Sequence, residues 1–296
     1  MWIPLILVSA LLLAFYDVAR KHGVTRNAVM PVLFLSTLAG LIFLTALLAA
    51  TGELAVALRL TPHQHALVFV KAFGTAVMWA CVFYAMRSLP LTIVGPIRNS
   101  APLWTLVGGI LIYHEIPGWV RAGGMAFVLA GYVLFTFAGR AEGIYFSRHH
   151  GIGLVAIGTL LGAAAALYDK YLLQVLHIPA NAVQFWFALW LVALTGILFA
   201  LQRGLDLVRT PFAWRWSIPL VGVLLILSDW CYFHAVAHPG VPISVVSLIR
   251  RSSMVVAFVL GTVIFGEGNV RRKAVAMIFI LAGVVVLCLA KQASRQ

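Results

Sequence analysis

Ten stretches of this chain are each long enough and apolar enough to cross a bilayer as a helix. A crossing helix needs ~20 predominantly apolar residues. The runs lie at 2–19, 30–50, 66–87, 91–113, 117–138, 151–175, 180–201, 217–237, 241–265 and 269–290. The connections between them are short, the longest being 51–65 and 202–216. Hydrophobic residues make up 63% of the chain and charged residues only 10%, against roughly half and a quarter in soluble proteins. That balance excludes a soluble enzyme, a disordered tail and a nucleic-acid module. The net charge of +13 does not revive the last of these, because the Lys and Arg residues cluster at the ends of apolar runs and form no continuous basic face. In lipid the backbone must satisfy its own hydrogen bonds, and the alternation expected of a barrel strand is absent. The fold expected is therefore an all-α, polytopic membrane protein of ten transmembrane helices. Residues 2–19 lack a basic start and a small-residue cleavage site, so they read as a first span rather than a signal peptide.

The chain also repeats itself. A shift of 152 residues carries Tyr16-Asp17 onto Tyr168-Asp169, Pro90 onto Pro242, Ile97-Arg98 onto Ile249-Arg250, and Ser100 onto Ser252. The same shift carries Glu115 onto Glu267 and Leu129-Ala130-Gly131 onto Leu281-Ala282-Gly283. One unbroken shift divides the chain into residues 1–140 and 151–290, each with five spans. Five is odd, so the second set enters the membrane from the opposite side. Two inverted five-helix repeats forming one integrated membrane domain follow, an architecture that secondary transporters use.

Loops on the face carrying both termini hold four Lys or Arg residues and loops on the other face hold twelve. Taken alone, that asymmetry puts the termini outside.

Eight charged residues fall within the spans: Asp17, Asp169, Asp229, Lys71, Lys170, Arg98, Arg250 and Arg251. At roughly 3 kcal/mol each near the bilayer centre, they would cost roughly 24 kcal/mol if uncompensated. An ordinary domain has a net stability of only about 5–15 kcal/mol. They must pair, extend to the headgroups, or face a wet cavity. Lys71 and Lys170 lie near span ends, where extension to the headgroups is the expectation. Asp17 has Arg20 and Lys21 three and four residues on, which offers a local helix-end pair. Arg98 and Arg250 lie about two turns into their spans and are related by the repeat. Two symmetry-related pairs, Asp17–Arg98 and Asp169–Arg250, are the simplest arrangement; they serve either a substrate site or helix packing. Asp229 is the deepest acid and has no repeat equivalent. Because desolvation disfavours a charged carboxylate, it is the candidate proton carrier, with a hydrogen bond to a neighbouring helix as the alternative. His234 lies five residues on and off its face, so it reads as a packed core residue.

Five bases against three acids leave positive charge in the spans. Guanidinium is suited to phosphate or carboxylate through its forked geometry, so Arg98, Arg250 and Arg251 favour an anionic or zwitterionic substrate. Tyr16 and Tyr168, beside the two repeat-related acids, complete the candidate substrate-binding set. The short clusters His63-Gln64-His65 and His149-His150 have no Cys or carboxylate company and do not make a metal site. Cys81, Cys231 and Cys288 are unpaired in spacing. Gly158 and Gly162 form a GxxxG close-packing face. No nucleophile motif or nucleotide loop is present.

The repeat residues give the chain a familiar outline. From end to end it resembles the ten-helix EamA-type transporters of the drug/metabolite transporter superfamily. The most specific parts are an apolar helix ending in Glu, then a basic residue, then a helix with Leu-Ala-Gly. Here these are Ile110 to Glu115, Arg121 and Leu129-Ala130-Gly131, and again Thr262 to Glu267, Lys273 and Leu281-Ala282-Gly283. Pro102 stands where the first repeat of such proteins often has a Pro, and Met254 replaces it in the second. Arg250-Arg251 is similar to the dibasic pair of sugar-phosphate translocators in the same superfamily. The resemblance implies a secondary transporter of small metabolites in the cell membrane, without a bound cofactor and with both termini in the cytoplasm, opposite to the charge count.

The function expected is alternating-access transport of a small anionic or zwitterionic metabolite, coupled to protons or another gradient. A flippase for an anionic lipid or lipid-linked carrier is the second reading, and a lipid-headgroup enzyme the least supported. Partners expected are the substrate and membrane lipid, with a homodimer left open and no nucleic acid, metal or cofactor.

Overall fold

The computed structural model describes residues 2–88, 97–98, 100–140, 150–204, 211–253, 255–256, 259–260 and 270–293. Regular structure among them is entirely helical. In order come α1 (Trp2–Val24), α2 (Val29–Ala50), the short α3 (Leu54–Ala57), α4 (Pro62–Ser88), α5 (Ala101–Tyr113), α6 (Trp119–Arg140) and α7 (His150–Lys170). After them come α8 (Ala180–Gly204), α9 (Ser217–Ala237), α10 (Ile243–Arg251) and α11 (Val270–Ala293). Described helix overlies every predicted run, with 91–113 and 241–265 covered only in part. Among the described residues, six helices are long and apolar enough to cross a membrane: α1, α2, α4, α7 with its continuation, α8 and α9. Shorter apolar stretches form α5 and parts of α6 and α11. Glu267, of the second repeat's Glu motif, lies outside the described residues.

Local chemistry sets several boundaries. Thr61 and Gln64 cap α4 reciprocally: the Thr61 N–H donates to Gln64 Oε1 at 3.0 Å, and the Gln64 N–H to Thr61 Oγ1 at 3.3 Å. With Pro62 at the first helical position, this is a capping box that starts the helix firmly. It begins α4 four residues ahead of the predicted run at 66. α5 ends where His114 takes a left-handed φ of 52°, and the Glu115 N–H turns back to Gly109 O at 3.1 Å. α7 does not stop at Lys170 but widens into a π turn over Tyr171–Val175, with the Leu176 N–H donating to Tyr171 O.

The described chain forms two compact units, each drawing on both halves of the sequence. The first comprises Met1–Ala76 and Asp169–Pro239, the second Val77–Tyr168 and Gly240–Gln296. The divisions fall inside α4 and at the end of α7.

In the first unit α9 packs on α1 and α2. Ser9 Oγ donates to Ser228 O at 2.8 Å, and Ser228 Oγ to Ser9 O at 2.9 Å, so each hydroxyl is satisfied by the facing helix. On the other side α2 and α9 meet backbone to backbone. A Cβ on Gly222 would stand 2.0 Å from Ser36 O and 2.7 Å from Gly40 N. Backbone cannot move aside as a flexible side chain can, so Gly222→Ala should separate the helices. The expected loss is about 1–3 kcal/mol, the range for overpacking, read as a lower melting temperature of the detergent-purified protein. Gly74 in α4 has nothing within 4 Å of its Cβ position. Gly74→Ala should therefore be neutral or mildly stabilising, and equal melting temperatures for the two variants would contradict the close-contact account.

In the second unit α6 packs along α11, and α5 against α10. At the first contact, the glycine of each repeated Leu-Ala-Gly motif faces the partner helix. A Cβ on Gly131 would lie 2.8 Å from Ala276 O, and one on Gly283 would lie 2.7 Å from Gly124 O. The two glycines that the repeat relates thus each sit against backbone of the partner helix, where a Cβ would not fit.

Candidate functional site

Among the described residues, the buried charged side chains lie in the first unit. Lys71 on α4 and Asp169 at the end of α7 form an ion pair, Nζ to Oδ1, at 2.5 Å. Both side chains are buried, at 3% and 8% exposure. Tyr232 on α9 donates its hydroxyl to Asp169 Oδ2 at 3.1 Å. The Lys71 ammonium sits over two aromatic faces, 4.1 Å from the centre of the Phe187 ring and 3.9 Å from that of Phe233. Ring quadrupoles attract a desolvated cation, so the rings complete what the carboxylate begins. The expectation that Lys71 extends to the headgroups fails, because an acid, a phenol and two rings compensate its charge within the unit. Lys170 is likewise buried rather than extended.

Beside this cluster α2, α8 and α9 line a small, partly open pocket of about 20 Å³. Phe187, whose ring lies under Lys71, is one of its walls. Ser36 and Thr37 of α2, Gln184 of α8 and Asp229 of α9 are its polar lining. Asp229 therefore faces a small cavity within the bundle. Gln184 is 1% exposed; its Nε2 donates to Ile226 O at 2.8 Å, while its Oε1 is buried without a hydrogen-bond partner. His234 is half-buried rather than in the core: its Nδ1 lies 2.8 Å from Trp230 O and its ring rests against the Trp230 indole.

At the other end of the same unit, Asp17 pairs with Arg20 at 3.0 Å, three residues on. The Arg20 guanidinium also lies over the Tyr16 ring, 5.2 Å from its centre. Tyr16 is buried and packs with Ala19 and Val221. Both repeat-related acids thus find cations within their own unit, Arg20 for Asp17 and Lys71 for Asp169.

Arg98, Arg250, Arg251 and Tyr168 lie in the second unit and are half-buried. The helix carrying the Arg pair is anchored at both ends. At its start the Glu115 carboxylate accepts the Ile243 N–H at 3.0 Å and the Ser244 hydroxyl at 3.2 Å. An anion at a helix N-terminus satisfies free N–H groups and the helix dipole together. Near its end the Tyr132 hydroxyl donates to Leu248 O at 3.3 Å. The Glu of the sequence motif is therefore a cap reaching across 128 residues to hold α10.

Sequence reasoning named Asp169, Asp229 and the arginines but missed Lys71 as a site residue, and with it Phe187, Tyr232, Phe233 and Gln184. The signal for Lys71 was the capping box at Thr61 and Gln64, which sets it more than two turns into α4 rather than at its edge. No sequence signal singled out Gln184.

The buried charge cluster and the pocket beside it lie within helices long enough to span a bilayer. Residues 1–137 match the EamA-like transporter family. That match, over the first 137 residues, bears out the resemblance found in the sequence, and the apolar helices of spanning length are those of a multi-pass integral membrane protein. No curated protein matches. A solved crystal structure aligns over 99% of this chain and 96% of its own, with a TM-score of 0.73 and 18% identity, and so shares the fold.

Proposed function

We propose that the protein is a secondary active transporter of a small anionic or zwitterionic metabolite in the cell membrane, coupled to protons or another gradient. Its two inverted five-helix repeats, residues 1–140 and 151–290, would alternate access. The observation that carries this reading is the placement of ionisable groups inside apolar helices. Such groups are expensive there and are the default mark of a substrate or ion pathway. Arg98, Arg250 and Arg251 are neither fully enclosed nor fully exposed, as suits guanidiniums that exchange partners with an anion. Tyr16 and Tyr168, Asp17 and Asp169 complete the substrate-binding set, and Asp229, facing the cavity, carries the coupling charge. Membrane lipid is the other partner, with no cofactor required.

Thermal stabilisation of the purified protein, at fixed salt and two pH values, tests the substrate class. Anionic and zwitterionic metabolites should raise the melting temperature and organic cations should not. Stabilisation by organic cations alone would overturn the assignment. Uptake of the stabilising compounds into proteoliposomes then separates a carrier from a protein that only binds them.

A further inference from the structure

Two links of the first unit are locked together at one end of its spans. The first, residues 25–28, joins α1 to α2, and the second, residues 211–216, leads into α9. Asn27 makes the lock. Its buried side chain donates from Nδ2 to Ala213 O at 2.7 Å and to Gly23 O at 3.1 Å, and its Oδ1 accepts the Ala213 and Ala28 N–H groups, each at 2.9 Å. The Arg215 guanidinium adds a hydrogen bond to His22 O, and His22 Nδ1 lies 3.1 Å from Ser217 Oγ. α1, α2 and α9 are long and apolar enough to span a bilayer, so links at their ends lie at the level of the headgroups.

What this fixed patch exposes is aromatic and basic. Trp214 and Trp216 are 55% and 81% exposed, with their rings edge to face and centres 6.1 Å apart, and Phe212, two residues ahead, is exposed too. An indole is an apolar body with a polar N–H, which suits the boundary between acyl chains and headgroups. Arg26 is exposed as well. It precedes Asn27 as Trp214 follows Ala213, so the two hydrogen bonds between Asn27 and Ala213 set guanidinium and indole on adjoining backbone. Arg26 stands at a φ of 53°, a left-handed conformation that glycine adopts freely and arginine only at a cost. Burial does not account for an arginine there, because the side chain is exposed. No acid lies among residues 22–28 or 211–217, and Asp17, further back on α1, is paired with Arg20.

We propose that the joined links are a binding site for the headgroup of an anionic phospholipid, its phosphate held by the Arg26 and Arg215 guanidiniums and its glycerol and upper acyl chains lying on Trp214 and Trp216. The guanidinium fork matches phosphate, and Arg215 has more N–H donors than its bond to His22 O consumes. A free phosphate would need the bases but not the indoles. A choline headgroup would bring a further cation to two guanidiniums. An anionic lipid satisfies both features, and when bound it bridges the link after α1 to the link before α9. The site rests on the membrane location alone and not on what the protein transports.

The test uses the purified protein in phosphatidylcholine nanodiscs, with increasing fractions of phosphatidylglycerol brominated near the headgroup, or of phosphatidylcholine brominated likewise. Bromine quenches indole fluorescence on contact. The chain has nine Trp residues, so the signal of these two is the difference between wild type and a double variant, Trp214→Phe with Trp216→Phe. Each base near the surface is worth about fivefold in affinity for anionic lipid. Half-maximal quenching of that difference should therefore need at least about fivefold less phosphatidylglycerol than phosphatidylcholine. Arg26→Gly should weaken the preference about fivefold, while melting no lower than wild type in phosphatidylcholine alone, because glycine relieves the backbone. Arg26→Lys should keep most of the preference. Arg215→Gln, whose loop keeps the Asn27 bonds, should act as Arg26→Gly does. Equal quenching by the two brominated lipids overturns the proposal and leaves the indoles an unselective aromatic belt. So does a preference that neither Arg26→Gly nor Arg215→Gln weakens. Absence of any quenching specific to Trp214 and Trp216 overturns it too, by placing them away from lipid.

Discussion

Lys71→Met is expected to destabilise the protein by about 3–5 kcal/mol, the cost of leaving a buried charge without its partner. Methionine keeps much of the length and lies well against the Phe187 and Phe233 rings, so packing changes little. What changes is that Asp169 keeps its Tyr232 hydrogen bond but loses the cation 2.5 Å away. Asp169→Leu should cost a similar amount by the mirror argument, with an ammonium left over two rings. The double variant should regain most of the loss, because replacing a whole buried pair by apolar groups is often neutral. Melting temperatures of the four proteins in detergent form the cycle. Single losses that simply add in the double variant would show that Lys71 and Asp169 do not act on one another.

The second large effect is on transport, not stability. Arg98→Ala and Arg250→Ala should each lower uptake into proteoliposomes by about 100-fold for the compound that stabilises the protein. That corresponds to about 2.8 kcal/mol at 1.4 kcal/mol per decade, within the range for losing a charge-assisted contact. Arg→Lys at either position should fall between, since lysine keeps the charge and loses the planar fork. Both alanine variants should reach the membrane folded; Arg250→Ala leaves α10 its Glu115 and Tyr132 anchors. Wild-type uptake by both would remove the arginines from the substrate path.

The two experiments fall on different parts of what the sequence makes legible. Apolar run length announces the helices, because a bilayer imposes it on every crossing segment. The energetic cost of charge in lipid singles out Asp169, Asp229 and Arg250 for the same reason. Pairing is another matter. Asp169 lies one residue from Lys170 and is repeat-related to an acid near arginines, yet its structural partner is Lys71, 98 positions away. Nothing local in the chain encodes that meeting; it follows from where α4 and α7 run. Depth was misjudged at Lys71 because hydropathy locates the apolar stretch rather than the capped end, and Thr61 and Gln64 extend α4 beyond it. The Leu-Ala-Gly motifs were visible as repeats, but only the helix crossing explains why glycine stands at Gly131 and Gly283. Gln184 is an ordinary amide in an apolar run until Ile226 O takes its hydrogen.

The π turn at Tyr171–Val175 has a consequence for chain length. Each residue of an α-helix advances the side chains by about 100°, and a π turn carries one residue more than the α register requires. The wide turn absorbs that surplus, so Asp169, just before it, and the link into α8, just after, keep nearly the phase that regular helix would give them. Deleting a single residue such as Leu173 should close the tract into unbroken α-helix and leave the carboxylate on its lysine. The same deletion in the regular turns ahead of Asp169 would rotate the acid by about 100° relative to the rest of α7, so the tract is the one stretch of this helix that tolerates a lost residue.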